Sequence, residues 1–312
     1  FGMNDFEVAR ILEEIAELTG HSGDIDHWRK LVRQDPEHIR LMFDQRWETN
    51  GHRNFFLGPK DGMLMTNAFW AMRSESFPRE YAEKMIKAWA LNKVDGFYGE
   101  FFPLAMAKRS MKTFSTATDF DFGYTPDTAY FTLDGMFKQD FPKIASELTL
   151  NHLENYNYHD EWNIPVAPEA YRRDLKFFGD QYSNFNAGKI LLFIEGLAGI
   201  SYSLPDGVFQ VRDAMPTAWN WMEVEVPVGK KPAWVKVRIE RKNERGGTVK
   251  SIVVENSPLR VKIAPWLEGR QLVGEPQLKG DGFSESDTVQ PGRKSFQSNG
   301  KDSASSVSLF LK

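Results

Sequence analysis

The chain has 312 residues, 41% hydrophobic and 13% aromatic, with a net charge of -4 and no cysteine. This much apolar material builds a substantial core, and the length points to more than one domain. A pI near 6.0 and the lack of a dense Lys/Arg run argue against a nucleic-acid partner. The longest apolar run, Ile190 to Ile194, is too short to cross a bilayer, which argues against a membrane partner. Without cysteine there are no disulfides, thiolate nucleophiles or cysteine-based metal sites.

From Asn4 to about Ile200 the apolar residues recur with helical spacing, and the predicted helices are of two kinds. One kind is amphipathic. Val8, Ile11, Leu12, Ile15 and Leu18 share a face, with Asn4 and Glu7 placed for an N-terminal cap. Tyr81, Met85, Ile86 and Trp89 repeat the pattern after Pro78, and Phe141, Ile144, Ala145, Leu148 and His152 repeat it around Pro142. The other kind is apolar on nearly every side: Met63 to Met72, Thr128 to Phe137 with Thr125 and Pro126 as cap and first turn, and Asn186 to Ile200. Such helices have to be surrounded by protein. Wet and dry helices in alternation describe a double ring, an (α/α) toroid, with a simple bundle as the alternative.

The loops entering the apolar helices are long: Asn50 to Asp61, Asn92 to Asp127 and Glu154 to Phe185. One rim of the helical domain is therefore the expected working face. After about Ser203 the period changes to two. Met222, Val224 and Val226 alternate with acidic residues, and Val235, Val237 and Ile239, then Ile252 and Val254, then Leu259, Val261 and Ile263 continue the alternation. These segments predict antiparallel strands with one buried face. The expected organisation is an α + β chain: a helical domain over residues 1–203, a small β-sandwich over 204–278, and a Gly/Ser-rich flexible tail over 279–312 whose last residues could add an edge strand.

The histidines show no metal-ligand spacing, and His152 reads as a core-edge residue. Asp119 and Asp121 are spaced like calcium ligands but lack the acidic ligands that should follow. No metal or cofactor is expected, so catalysis rests on carboxylates. Paired carboxylates are what glycosidases use, one as acid on the leaving oxygen and one as base or nucleophile. The long loops mix such groups with aromatic side chains, which suit the apolar faces and hydroxyl-rich edges of sugars. Phe55 lies in the first loop; Glu100, Tyr124 and Asp127 lie in the second; Tyr158, Asp160, Glu161 and Trp162 lie in the third.

The stretches FFLGPKDGMLMTNAFWAM, the Pro126-Asp-Thr-Ala-Tyr-Phe helix start and DEWNIP leading to YSNFNAGKILLFIEGLAGI resemble the six-hairpin glycosidases. These are the glucoamylase-like (α/α)6 toroids of glycoside hydrolase families 15, 63 and 65. The resemblance covers about Asn50 to Leu204. It implies an inverting, exo-acting α-glycosidase acting on an oligo- or polysaccharide, with Glu161 as general base, Asp160 as its competitor, and Trp162, Tyr124, Asp127, Phe55, Tyr158 and Glu100 around the substrate. In those families the general acid lies several helices upstream. The resemblance therefore implies that residues 1–203 are the second half of a toroid, completed by an upstream segment or a partner chain that carries the acid.

Two alternatives stand beside this reading. A polysaccharide lyase on an (α/α) toroid would use Tyr158 or His159 with Asn163 and Arg172 or Arg173. A non-catalytic descendant would keep the fold for carbohydrate binding or assembly.

Overall fold

The computed structural model describes residues 2–32, 41, 66–74, 77–100, 102–111, 122–156, 168–172, 177–181, 183–244, 247–264, 266, 288–289 and 294–300. It is α + β and divides into two compact units, residues 1–139 with 151–188, and residues 140–150 with 189–312.

The first unit opens with α1 (Gly2–Thr19) and α2 (residues 22–32), joined through Gly20 at φ 75°. A left-handed residue just past a helix end is where glycine is favoured. α1 begins before Asn4, so Asn4 and Glu7 lie within its first turns and not at its cap. Its apolar face is also turned outward: Val8, Ile11, Ile15 and Leu18 are 43–60% accessible, while Ala9 and Ala16 are buried. Arg29 of α2 bonds Glu13 and Glu17 at 2.7 Å each. That strap holds α2 on the Glu13 and Glu17 side and leaves the face from Val8 to Leu18 to solvent.

Further along, a 3-10 helix, Thr66–Arg73, buries Thr66, Phe69, Ala71 and Met72. α3 (Arg79–Met85) runs into a π turn, Ile86–Ala90, and buries Tyr81, Met85, Ile86 and Trp89 on the face that their spacing defines. A short α4 (Lys108–Met111) precedes α5 (Pro126–Lys138). Thr125 is extended, with φ -135° and ψ 140°, and Pro126 opens the helix. Proline suits this position because its missing N–H would have no helical partner there.

α5 is buried along most of its length, including Ala129, Leu133, Met136 and Phe137. It crosses Thr66–Arg73 at Gly135, where a Cβ would stand 3.0 Å from Met72 Cβ and 3.2 Å from the Phe69 carbonyl. Past its C-terminus, the buried Gln139 side chain donates to the carbonyls of Met72 and Ser74 at 3.0 Å each. Buried Asp134 pairs with Arg73 at 2.7 Å and Lys138 at 3.3 Å. The Arg73 guanidinium also lies 4.7 Å from the centre of the Phe131 ring.

α6 (Pro142–Tyr156) and α7 (Ser183–Leu191), which continues as π helix over Leu192–Leu197, each run from one unit into the other. Gly188, Leu192, Phe193, Gly196 and Leu197 are buried, but Ile190 is 49% exposed, so this helix is not dry on every side as its composition predicts. Its neighbour Lys189 is buried instead, and burial pushes the ammonium down to about 7. Strands also occur where the sequence reads as loop. β1 (Phe122–Tyr124), β2 (Pro168–Arg172) and β3 (Phe177–Gln181) form an antiparallel sheet in that order.

In the second unit, β4 (Ile200–Ser203) and β5 (Val208–Val211) pair antiparallel. β6 (Trp221–Val228), β7 (Ala233–Glu244) and β8 (Gly247–Glu255) form a meander. Met222, Val224, Val226, Val235, Val237, Ile239, Ile252 and Val254 are buried as the alternation predicts. On the opposite face the Glu223 carboxyl is held below its usual range by Lys236, at 2.7 Å, and by Arg238. Asn256 turns the chain at φ 61° into β9 (Arg260–Ile263).

β9 runs parallel to β5. Parallel neighbours need a crossover connection, and residues 212–259 supply it by building the other sheet. Within the segment read as a tail, β10 (Thr288–Val289) pairs with β9 and β11 (Lys294–Gly300) pairs with β8. The turn after β5 is held by Arg241, which donates to the carbonyls of Met215, Pro216, Thr217 and Trp219. Trp219 is 1% exposed, a core residue.

Candidate functional site

The helix starts of the first unit are tied to one another through the loops that lead into them. Thr66 at the head of the 3-10 helix donates its N–H to the Ala105 carbonyl at 3.1 Å and its hydroxyl to the same oxygen at 3.2 Å. Ala105 in turn donates to the Gly123 carbonyl at 2.9 Å, within β1, and β1 leads directly into α5. β1 pairs with β2, Tyr124 opposite Tyr171, and β2 pairs with β3, which ends at Gln181 just before α7. α7 touches α5 at Gly188, where a Cβ would come 3.1 Å from Tyr130 Cβ and 3.6 Å from the Pro126 carbonyl. The starts of the three apolar helices, with parts of the second and third long loops, therefore share one rim.

The described part of the second loop is irregular but closely pinned. The Asn92 side-chain oxygen accepts the N–H groups of Val94 and Asp95 at 3.0 Å each. Phe97 donates to the Trp89 carbonyl at 3.0 Å and accepts from Leu104 at 2.9 Å. The Phe97 ring is buried edge-on against Phe69, centroids 5.4 Å apart. Asn151 and His152 of α6 hold Phe102 from the other side: the Phe102 N–H donates to Asn151 Oδ1 at 2.9 Å, and His152 Nδ1 lies 3.0 Å from the Phe102 carbonyl. His152 is wholly buried.

The structure brings two of the sequence-predicted site residues together. Glu100 is exposed, and its backbone N–H donates to the Tyr124 phenol oxygen at 2.7 Å. Tyr124 itself is 3% exposed, so its ring stands behind Glu100. Asp127 is half-buried in the first turn of α5, on the same rim. Arg172, one of the residues of the lyase reading, is exposed at the end of β2 opposite Phe122. Phe55, Tyr158, His159, Asp160, Glu161, Trp162, Asn163 and Arg173 lie outside the described residues, as do Asp119 and Asp121.

Sequence reasoning passes over Asn151. A polar residue beside His152 in an amphipathic helix gives no sign that its amide reaches a backbone 49 residues away. Gly99 is equally silent in sequence, yet a Cβ there would fall on the Tyr124 hydroxyl. Among the described residues, no group of three or more His, Asp or Glu side chains is arranged to hold a metal ion.

No family model matches the chain. No curated protein matches it in sequence either. Among the described residues no helix is long and apolar enough to cross a membrane.

Proposed function

We propose that this chain is the second half of a glucoamylase-like (α/α)6 toroid followed by a β-sandwich, and that it forms part of an inverting, exo-acting α-glycoside hydrolase. Glu161 serves as general base, with Asp160 as its competitor. Trp162, Tyr158, Phe55, Asp127 and Glu100 surround the sugar. The general acid comes from an upstream segment or a partner chain that closes the ring. The observation that supports this reading is the convergence of the second and third loops, through the pairing of β1 with β2, at the starts of three apolar helices. That rim carries Glu100 and Asp127, and Glu161 falls in the sequence between α6 and β2.

In this mechanism the base draws a proton from water on the face of the sugar opposite the leaving group, while the acid protonates the leaving oxygen. Inversion requires the two carboxyl groups to stand about 6.5–9.5 Å apart, leaving room for that water. Glu161→Gln, assayed in the complete protein on α-linked gluco-oligosaccharides, should lower reducing-sugar release by at least about 100-fold, consistent with loss of a general base, while Tyr158→Phe, which keeps the ring against the sugar and removes only the hydroxyl, should lose far less. Loss on Tyr158→Phe, with products that absorb in the ultraviolet, would instead identify a lyase. Binding of the oligosaccharides without release of any product would identify a non-catalytic carbohydrate-binding protein.

A further inference from the structure

We propose that Glu100 contacts the substrate directly and that Tyr124 is its positioning residue, an assignment that rests on the glycoside-hydrolase reading. Surface loops usually owe their mobility to backbone groups that bond only to water. In this loop Phe97, Glu100, Phe102, Leu104 and Ala105 all donate their N–H groups to protein acceptors, drawn from α3's π turn, β1, α6 and the loop itself. These bonds fix the backbone from which the exposed Glu100 side chain extends.

Tyr124 is the side chain that holds the backbone of Glu100. Its ring is buried, and its oxygen accepts the N–H of Glu100 itself at 2.7 Å. A hydrogen at residue 99 is what lets the phenol reach this amide, because a Cβ on Gly99 would occupy the position of the hydroxyl and also press on Leu104 Cγ at 2.9 Å. A buried phenol offers a substrate little surface; its effect has to pass through Glu100. The Glu100 carboxylate, exposed on the rim, has acceptor sites for neighbouring hydroxyls of one sugar ring, and hydrogen bonds to an ionised acceptor are among the stronger ones.

The experiment is a double-mutant cycle on the complete protein, with kcat and KM read from reducing-sugar release on α-linked gluco-oligosaccharides and Tm recorded for each variant. Glu100→Gln keeps the shape and removes the charge, and should lower kcat/KM about tenfold or more. Tyr124→Phe should lower it about three- to tenfold alone and cause no further loss in the Glu100→Gln background, the signature of one residue acting through another. Gly99→Ala keeps the phenol but displaces its hydroxyl with a Cβ, so it breaks the same contact by another route and should show the same coupling. An active wild type with unchanged kcat/KM in Glu100→Gln overturns the role of Glu100. Losses that multiply independently in the double variants overturn the positioning role. A wild type that neither binds nor cleaves these sugars overturns the hydrolase reading, and this assignment falls with it.

Discussion

α1 and α5 belong to the same unit and both place large aliphatic side chains at helical spacing, yet α1 shows them to solvent and α5 hides them. The difference lies in their neighbours. α5 meets the 3-10 helix at Gly135 and α7 at Gly188, two places where a missing side chain lets another backbone come close. α1 has α2 strapped to it through Arg29, on a side other than the one carrying Val8, Ile11, Ile15 and Leu18. Periodicity defines a helix and its apolar face. What covers that face depends on residues elsewhere in the chain, often glycines and arginines that carry no periodic signal.

α7 repeats the contrast in adjacent residues, with Lys189 buried and Ile190 exposed, and it offers the largest expected effect. The Lys189 amine has a value of about 7 in the folded protein against 10.5 ordinarily. Between those values the unfolded chain holds the extra proton, so stability should rise with pH across this window, by about 4 kcal/mol. Denaturant titrations from pH 7 to 10.5 should show that rise in the wild type, and Lys189→Met should remove it. Equal slopes in the two proteins would mean that the ammonium is hydrated and that the contrast within α7 is false.

A smaller effect tests α5 directly. Leu133 is wholly buried, and Leu133→Ala should cost about 3 kcal/mol through lost transfer and the cavity left behind. The matching change in α1, Ile15→Lys, should shift stability by less than about 0.5 kcal/mol, since Ile15 is 48% exposed. A large loss at Ile15 in the purified chain would show that this face is covered, and would erase the difference between the two helices.

Much of the local structure was legible in sequence. Thr125 and Pro126 marked the start of α5, and the alternation from Met222 to Val254 identified the buried face of the β6–β8 meander. Both signals are short-range and repeat. The sheet of β1, β2 and β3 was not legible, because its strands are short and β1 and β2 are separated by 43 residues, Thr125 to Ala167, that include two helices. The parallel pairing of β5 with β9 escaped for a similar reason: alternation gives a strand its face but says nothing of its neighbour.

Of the candidate site, the composition of the second loop picked out Glu100, Tyr124 and Asp127. Their division of labour, with Tyr124 buried behind an exposed Glu100, depends on a hydrogen bond from backbone to side chain across 24 residues. No spacing rule encodes such a bond.

In the proposed function the second and third long loops bind a carbohydrate on one rim. Hydrogen exchange of the complete protein with and without α-linked gluco-oligosaccharides tests this most directly. Residues 96–107, 122–127 and 168–181 should gain protection together, all at the same sugar concentration. Protection limited to one of these segments, or none at a concentration that supports turnover, would contradict it.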